Sequence, residues 1–171
     1  MEKSYKAAII GFGGMGQRHY TAYRKIGVDV VAICDRDKKK INQILPDYPE
    51  KHTHDDYKKI IGNEDLDIVS VVTNGPTHAE IAVRSAQAGI RNIICEKPVA
   101  TNLLDAQKVI DVCRKHNSRL AVNHIRRWSL NHHKLKQMIN QGAIGDLRHI
   151  YFHCGSTGDR KSTRLNSSHR L

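Results

Sequence analysis

An α/β fold built on a doubly wound parallel sheet is predicted by three observations. The stretch AAIIGFGGMGQRHY, residues 7–20, joins a short apolar run to a glycine cluster and then at once to a helical pattern (Met15, His19, Ala22, Tyr23, Ile26). That order then repeats, with apolar runs at 28–34, 67–72, 92–95 and 120–122 alternating with segments of helical period. Finally, polar loops at 73–78, 96–98 and 123–127 each follow the end of such a run. Right-handed crossovers in a parallel sheet bring those loops to the edge that also carries the glycine turn.

The first run, Ala7 to Ile10, reads as a buried strand, and Gly11-Phe12-Gly13-Gly14-Met15-Gly16 follows it. Strand, G-x-G-x-x-G and helix, in that order, make a dinucleotide-binding turn. Gly11 permits the tight turn, Gly13 lets backbone approach a pyrophosphate, and Gly16 lets the helix lie close to the strand. The unpaired N–H groups of the helix start face the phosphates. The second run ends in Asp35, nineteen positions after Gly16, where a carboxylate accepts from the adenosine ribose hydroxyls. Asp35 favours NAD, because a carboxylate repels a 2′-phosphate; Arg36 and the nearby lysines leave NADP open.

Further along, Asp37 is placed to cap a helix with apolar positions Ile41, Ile44 and Leu45, ended by Pro46. A short strand is expected around His52 and Thr53, then a short helix capped by Asp55 or Asp56. The β-branched run from Asp67 to Val72 reads as a buried strand and opens into a loop and a helix that ends at Gly89. The strand 92–95 leads into Glu96-Lys97-Pro98, and Thr101 or Asn102 starts the next helix. After a sixth strand at 120–122, a helix is expected from about Leu130 to Asn140, closed by Gly142, and a strand over 147–153.

The 171 residues suit one domain or one domain and the beginning of another. No apolar run nears the roughly 20 residues of a membrane span, and MEKSYK leads straight into the first strand without a signal-peptide core. Cys34, Cys95, Cys113 and Cys154 are widely spaced, and the first two lie in strand-like runs, so core thiols of a cytoplasmic protein are expected. The formal charge of +11 raises a nucleic-acid partner, but the basic residues sit on solvated faces and helix ends without interleaved aromatics. Neither a nucleic-acid nor a membrane partner is expected. No metal site is expected either, because His52, His54, His132 and His133 lack complementary Cys or carboxylate spacing.

Lys97 is the candidate catalytic residue. The residue before a proline is pushed away from helical angles, so its side chain is aimed by a stiff backbone, and X-Pro is also where a cis peptide is tolerated. Beside a nicotinamide ring, Lys97 can donate to a substrate oxygen and relay its proton as hydride moves. His78 either contacts the nicotinamide end or caps the following helix. Asn123, Arg126 and Arg127 are placed to position a polar or anionic substrate.

The segments AIIGFGGMGQRH, AICDRD, SVVTNGPTHAEIA, CEKPVATNL and NHIRRW, in this order from Lys6 to about Tyr151, resemble the Gfo/Idh/MocA oxidoreductases. The resemblance implies a Rossmann domain binding NAD or NADP, then an α/β domain that shapes the substrate pocket and often an oligomer interface. It implies that Gly11, Phe12, Gly13, Gly14, Met15 and Gly16 hold the pyrophosphate and that Asp35 and Arg36 meet the ribose end. Thr73, Asn74 and His78 line the cofactor, with Glu96 and Lys97 beside the nicotinamide and with Asn123 and Arg126 toward substrate. The implied activity is hydride transfer between the nicotinamide and a sugar, cyclitol or related polyol in a homo-oligomeric parent. The alternative is a non-catalytic dinucleotide-binding regulatory module.

The family's further Asp/His catalytic motif has no counterpart in the chain. The expected organisation is therefore a Rossmann domain at 1–123, the first elements of a truncated second α/β domain at 124–158, and an artefactual tail from 159. That tail, DRKSTRLNSSH over 159–169, has no hydrophobic period and resembles the in-frame translation of a common sequencing adapter. A fragment of this kind is expected to turn over little or no substrate.

Overall fold

A computed structural model of the chain describes residues 4–62 and 65–151. The described residues form six parallel strands, all but the short β3 on the apolar runs: β1 (Lys6–Ile10), β2 (Asp29–Cys34), β3 (Thr53–His54), β4 (Ile68–Val71), β5 (Asn92–Cys95) and β6 (Arg119–Val122). They stand in the order β3-β2-β1-β4-β5-β6, every neighbouring pair parallel. From β1 the chain winds outward through β2 and β3, then returns to the other flank for β4, β5 and β6. The reversal places a crevice beside the C-terminal end of β1.

Helices cover both faces. Ala7, Ile9, Val30 and Ile33 face one way and pack with Tyr23 of α1 (Gly14–Lys25) and Ile41 of α2 (Lys38–Ile44). Ala8, Ile10, Val69, Val71 and Ile93 face the other way, toward Ile81 and Ala82 of α3 (Gly75–Gln87) and Val109 of α4 (Leu103–Lys115). Burial on both faces is why these strands read as continuous apolar runs instead of alternating ones.

The caps follow their chemistry unevenly. Asn102 Oδ1 accepts from the Asp105 N–H at 2.8 Å, and Asp56 Oδ1 accepts from the Lys58 N–H at 2.9 Å. Asp37 holds the cap position of α2, but its side chain makes no capping bond; its own N–H donates to Asp35 Oδ1 at 3.1 Å. The turn after β2 is thereby organised around Asp35 and not around the helix end.

By its internal contacts the chain divides into residues 1–127 and 128–171. Of the second unit, the described part holds α5 (Leu130–Asn140), ended by a left-handed Gly142. The strand expected over 147–153 is not found across its described residues 147–151. Alternation suits a strand but does not supply the neighbour whose N–H and C=O groups it must pair with. Residues 152 and 153, Cys154 and the tail from 159 lie outside the described residues. No helix among the described residues is long and apolar enough to cross a membrane.

The sheet interior also carries Cys34 and Cys95. Burial first, then the carboxylates of Asp35 and Glu96 respectively, push these thiols from an ordinary value of 9.0 up to about 12. The folded state therefore keeps protons that the unfolded chain releases, and the contribution of these two thiols to stability is fully present below about pH 9 and is lost on rising toward about pH 12. Urea unfolding across that window is expected to show a steeper loss for wild type than for a Cys34→Ala/Cys95→Ala variant. Equal slopes would sink the assignment.

Candidate cofactor and active site

The glycine turn owes its shape to two positions. Gly11 has φ of +99°, and a Cβ there would meet the Val72 carbonyl oxygen at 2.6 Å. Its N–H donates to the Cys34 carbonyl at 2.7 Å, tying the turn to the end of β2. A Cβ on Gly16 would run into the Gly11 carbonyl oxygen, so glycine here lets α1 start almost in contact with the turn. At Gly13 and Gly14 a Cβ would meet nothing within 4 Å. Gly13 is the N-cap of α1, with no side-chain cap and no acidic residue in the first turn. This open cradle of helix-start N–H groups fits a pyrophosphate.

Phe12 plays another part. Its ring is fully buried against Tyr20, centroids 6.1 Å apart and nearly perpendicular, and its N–H donates to Asp35 Oδ2 at 2.7 Å. Asp35 thus ties the glycine turn through Oδ2 and the turn after β2 through Oδ1, and a carboxylate retains further lone pairs for ribose hydroxyls. Met15 is half-buried beside the turn, and Arg36 next to Asp35 is exposed.

On the other flank of β1 are the loops after β4, β5 and β6. Thr73 and Thr77 share a hydroxyl hydrogen bond at 2.7 Å, and Asn74 is the exposed N-cap of α3 without a side-chain capping bond. His78 neither caps α3 nor offers its ring to the crevice. It is 1% exposed, with Nδ1 2.6 Å from the Pro98 carbonyl oxygen and Nε2 2.9 Å from that of Thr73. Its position one turn into α3 aims the ring inward, where it joins the loop after β4 to the loop after β5.

Lys97 is exposed between a buried Glu96 and Pro98, and the Lys97–Pro98 peptide is cis. Glu96 Oε1 accepts from Asn123 Nδ2 at 2.6 Å and lies 3.4 Å from His19 Nε2. Asn123 Nδ2 is also 3.2 Å from His19 Nε2, so its amide nitrogen is engaged within the protein and not extended toward a substrate. Arg126, in the 3-10 turn Ile125–Trp128, is exposed. His19 belongs to the site without having been singled out from the sequence. The available signal was a His and a Tyr four residues apart on a buried helix face, with a serine inside the β-branched run 67–72.

The family model described as an oxidoreductase family with an NAD-binding Rossmann fold matches residues 5–124. The chain belongs to the Gfo/Idh/MocA oxidoreductase family. It is 33% identical over 144 residues to an inositol 2-dehydrogenase of Salmonella paratyphi B, covering 82% of this chain and 43% of the relative. It is 31% identical over 144 residues to a D-apiose dehydrogenase of Paraburkholderia graminis, covering 84% and 38%. Among solved structures, an oxidoreductase from Agrobacterium radiobacter in complex with NAD+, L-tartaric acid and magnesium superposes with a TM-score of 0.76 at 26% identity. That match covers 84% of this chain and 42% of the other. The chain thus spans about two fifths of the length of these Gfo/Idh/MocA relatives.

Proposed function

We propose that this chain is the cofactor-binding part of an NAD-dependent dehydrogenase or reductase acting on a sugar, cyclitol or related polyol. The observation that carries the reading is one strand edge shared by an open glycine cradle, Asp35 on one flank and Glu96-Lys97-Pro98 on the other. The polyol class is supported by the names of the relatives, an inositol and an apiose dehydrogenase. The complete protein is proposed to carry the remaining substrate contacts in a second domain, to assemble as a homo-oligomer, and to work in the cytoplasm.

Gly13 and Gly14 would hold the pyrophosphate, and Asp35 the adenosine ribose. The bound nicotinamide would supply the hydride acceptor or donor. Lys97, exposed on a stiff backbone, donates a hydrogen bond to the substrate oxygen, steadies the charge that develops there, and takes or returns its proton. Arg126 is proposed to orient substrate from the next loop. The 171-residue chain on its own is expected to bind cofactor weakly and to turn over little.

Titration with NADH and NADPH tests the binding reading. Wild type is expected to favour NADH, and Asp35→Ser is expected to lose that preference by about tenfold, since the substitution removes the charge that repels a 2′-phosphate. An unchanged preference would show that Asp35 is not the selector. Binding of neither nucleotide would remove the proposal, and substrate-dependent NADH formation by the 171-residue chain would overturn the claim that it needs a second domain.

A further inference from the structure

Four elements send polar side chains to one buried point on the α1 face of the sheet. His19 and Tyr23 come from α1, Ser70 from the middle of β4, Glu96 from the end of β5 and Asn123 from the end of β6. Ser70 is fully buried, and Glu96 is 6% exposed. Unpaired polar groups in such a place are costly, so the partners must match donor to acceptor.

Two donors converge on Glu96 Oε1: Asn123 Nδ2 at 2.6 Å and His19 Nε2–H at 3.4 Å, the two nitrogens 3.2 Å apart. With Nε2 carrying the proton, His19 Nδ1 accepts from the Ser70 hydroxyl at 3.1 Å, and Ser70 Oγ accepts from the Tyr23 hydroxyl at 2.6 Å. The tautomer is assigned from this network. Glu96 is thereby held by groups fixed to three other elements, and the residue after it is Lys97. On the far side of Lys97, the Pro98 carbonyl is bonded by His78. The short segment bearing the lysine is fastened at both ends.

We propose that His19 is a positioning residue for the nicotinamide half of the site, fixing Glu96 together with Asn123 so that the Glu96–Pro98 segment keeps the shape that receives the ring. The inference rests on the proposed dinucleotide-binding function. Asp35 and Glu96 lie on opposite flanks of the glycine turn, so a dinucleotide laid across the crevice puts adenosine toward Asp35 and nicotinamide toward Glu96. His19 then acts on one half of the ligand only.

That asymmetry gives a test that needs no turnover. The dissociation constants of NADH and ADP-ribose, which lacks the nicotinamide ring, are measured for the 171-residue chain, with urea unfolding alongside. Wild type is expected to bind NADH more tightly. His19→Ala is expected to weaken NADH about five- to tenfold, the size of one or two lost hydrogen bonds, while ADP-ribose moves less than about twofold. His19→Gln, whose amide reaches toward the Nε2 position, is expected to restore most of the difference. Asn123→Ala attacks the same link from β6, should reproduce the loss, and decides the matter if His19→Ala does not fold. Equal weakening of both ligands would reduce His19 to a structural role, and unchanged NADH affinity would remove the link; either overturns the proposal. Wild type binding both ligands equally would overturn it too. Binding of neither by wild type would instead defeat the functional reading beneath it.

Discussion

Lys97→Met, made in the two-domain protein proposed above, is expected to lower kcat about 10²- to 10⁴-fold while the NADH dissociation constant stays within about threefold. Methionine keeps the length and apolar stem of lysine but has no N–H to donate and no proton to exchange. The side chain is exposed and the structure around it is fastened through Glu96 and Pro98, so the substitution should not disturb the fold. Steady-state kinetics with the best polyol substrate, paired with direct NADH titration, separates chemistry from binding. A loss below about fivefold would mean that Lys97 does not handle the proton, and the regulatory-module reading would gain.

The glycines of the turn should part into two kinds. Gly16→Ala forces a Cβ into the Gly11 carbonyl oxygen, and backbone on both sides of the clash leaves no flexible side chain to yield. A loss of about 3 kcal/mol or more in unfolding free energy is expected, together with loss of NADH binding. Gly13→Ala meets nothing within 4 Å, and its φ of −72° suits any L-residue. Its stability should stay within about 1 kcal/mol of wild type, in either direction. Its NADH affinity is expected to fall at least about tenfold, because the methyl group occupies the space the pyrophosphate needs. Equal stability losses at the two positions would show that Gly13 is a folding residue; full NADH affinity in Gly13→Ala would place the phosphates elsewhere.

What could be read from the sequence is what is local. The strand, glycine turn and helix at 7–20, the acidic end of β2 and the lysine before Pro98 carry their chemistry within a few residues, and their elements stand where the periodicity put them. The interior wiring is different in kind. His19 reaches Glu96 across 77 positions and Asn123 across 104, and no spacing in the chain announces such partners. His78 shows the same gap: a helix-start histidine can face solvent, ligand or core, and only the packing of α3 and α4 on the sheet decides. Over 147–151 the expected strand is absent for the complementary reason, since its pattern is local but a partner strand is required.

The buried His78 ring, which lies against the carbonyls of both Thr73 and Pro98, has a bearing on protein engineering. Two loops joined through one buried ring cannot be redesigned separately. A library that varied 73–77 and 97–101 as independent blocks would sample many pairs that disagree about where that ring should sit. Selected variants should therefore show paired changes across the two loops.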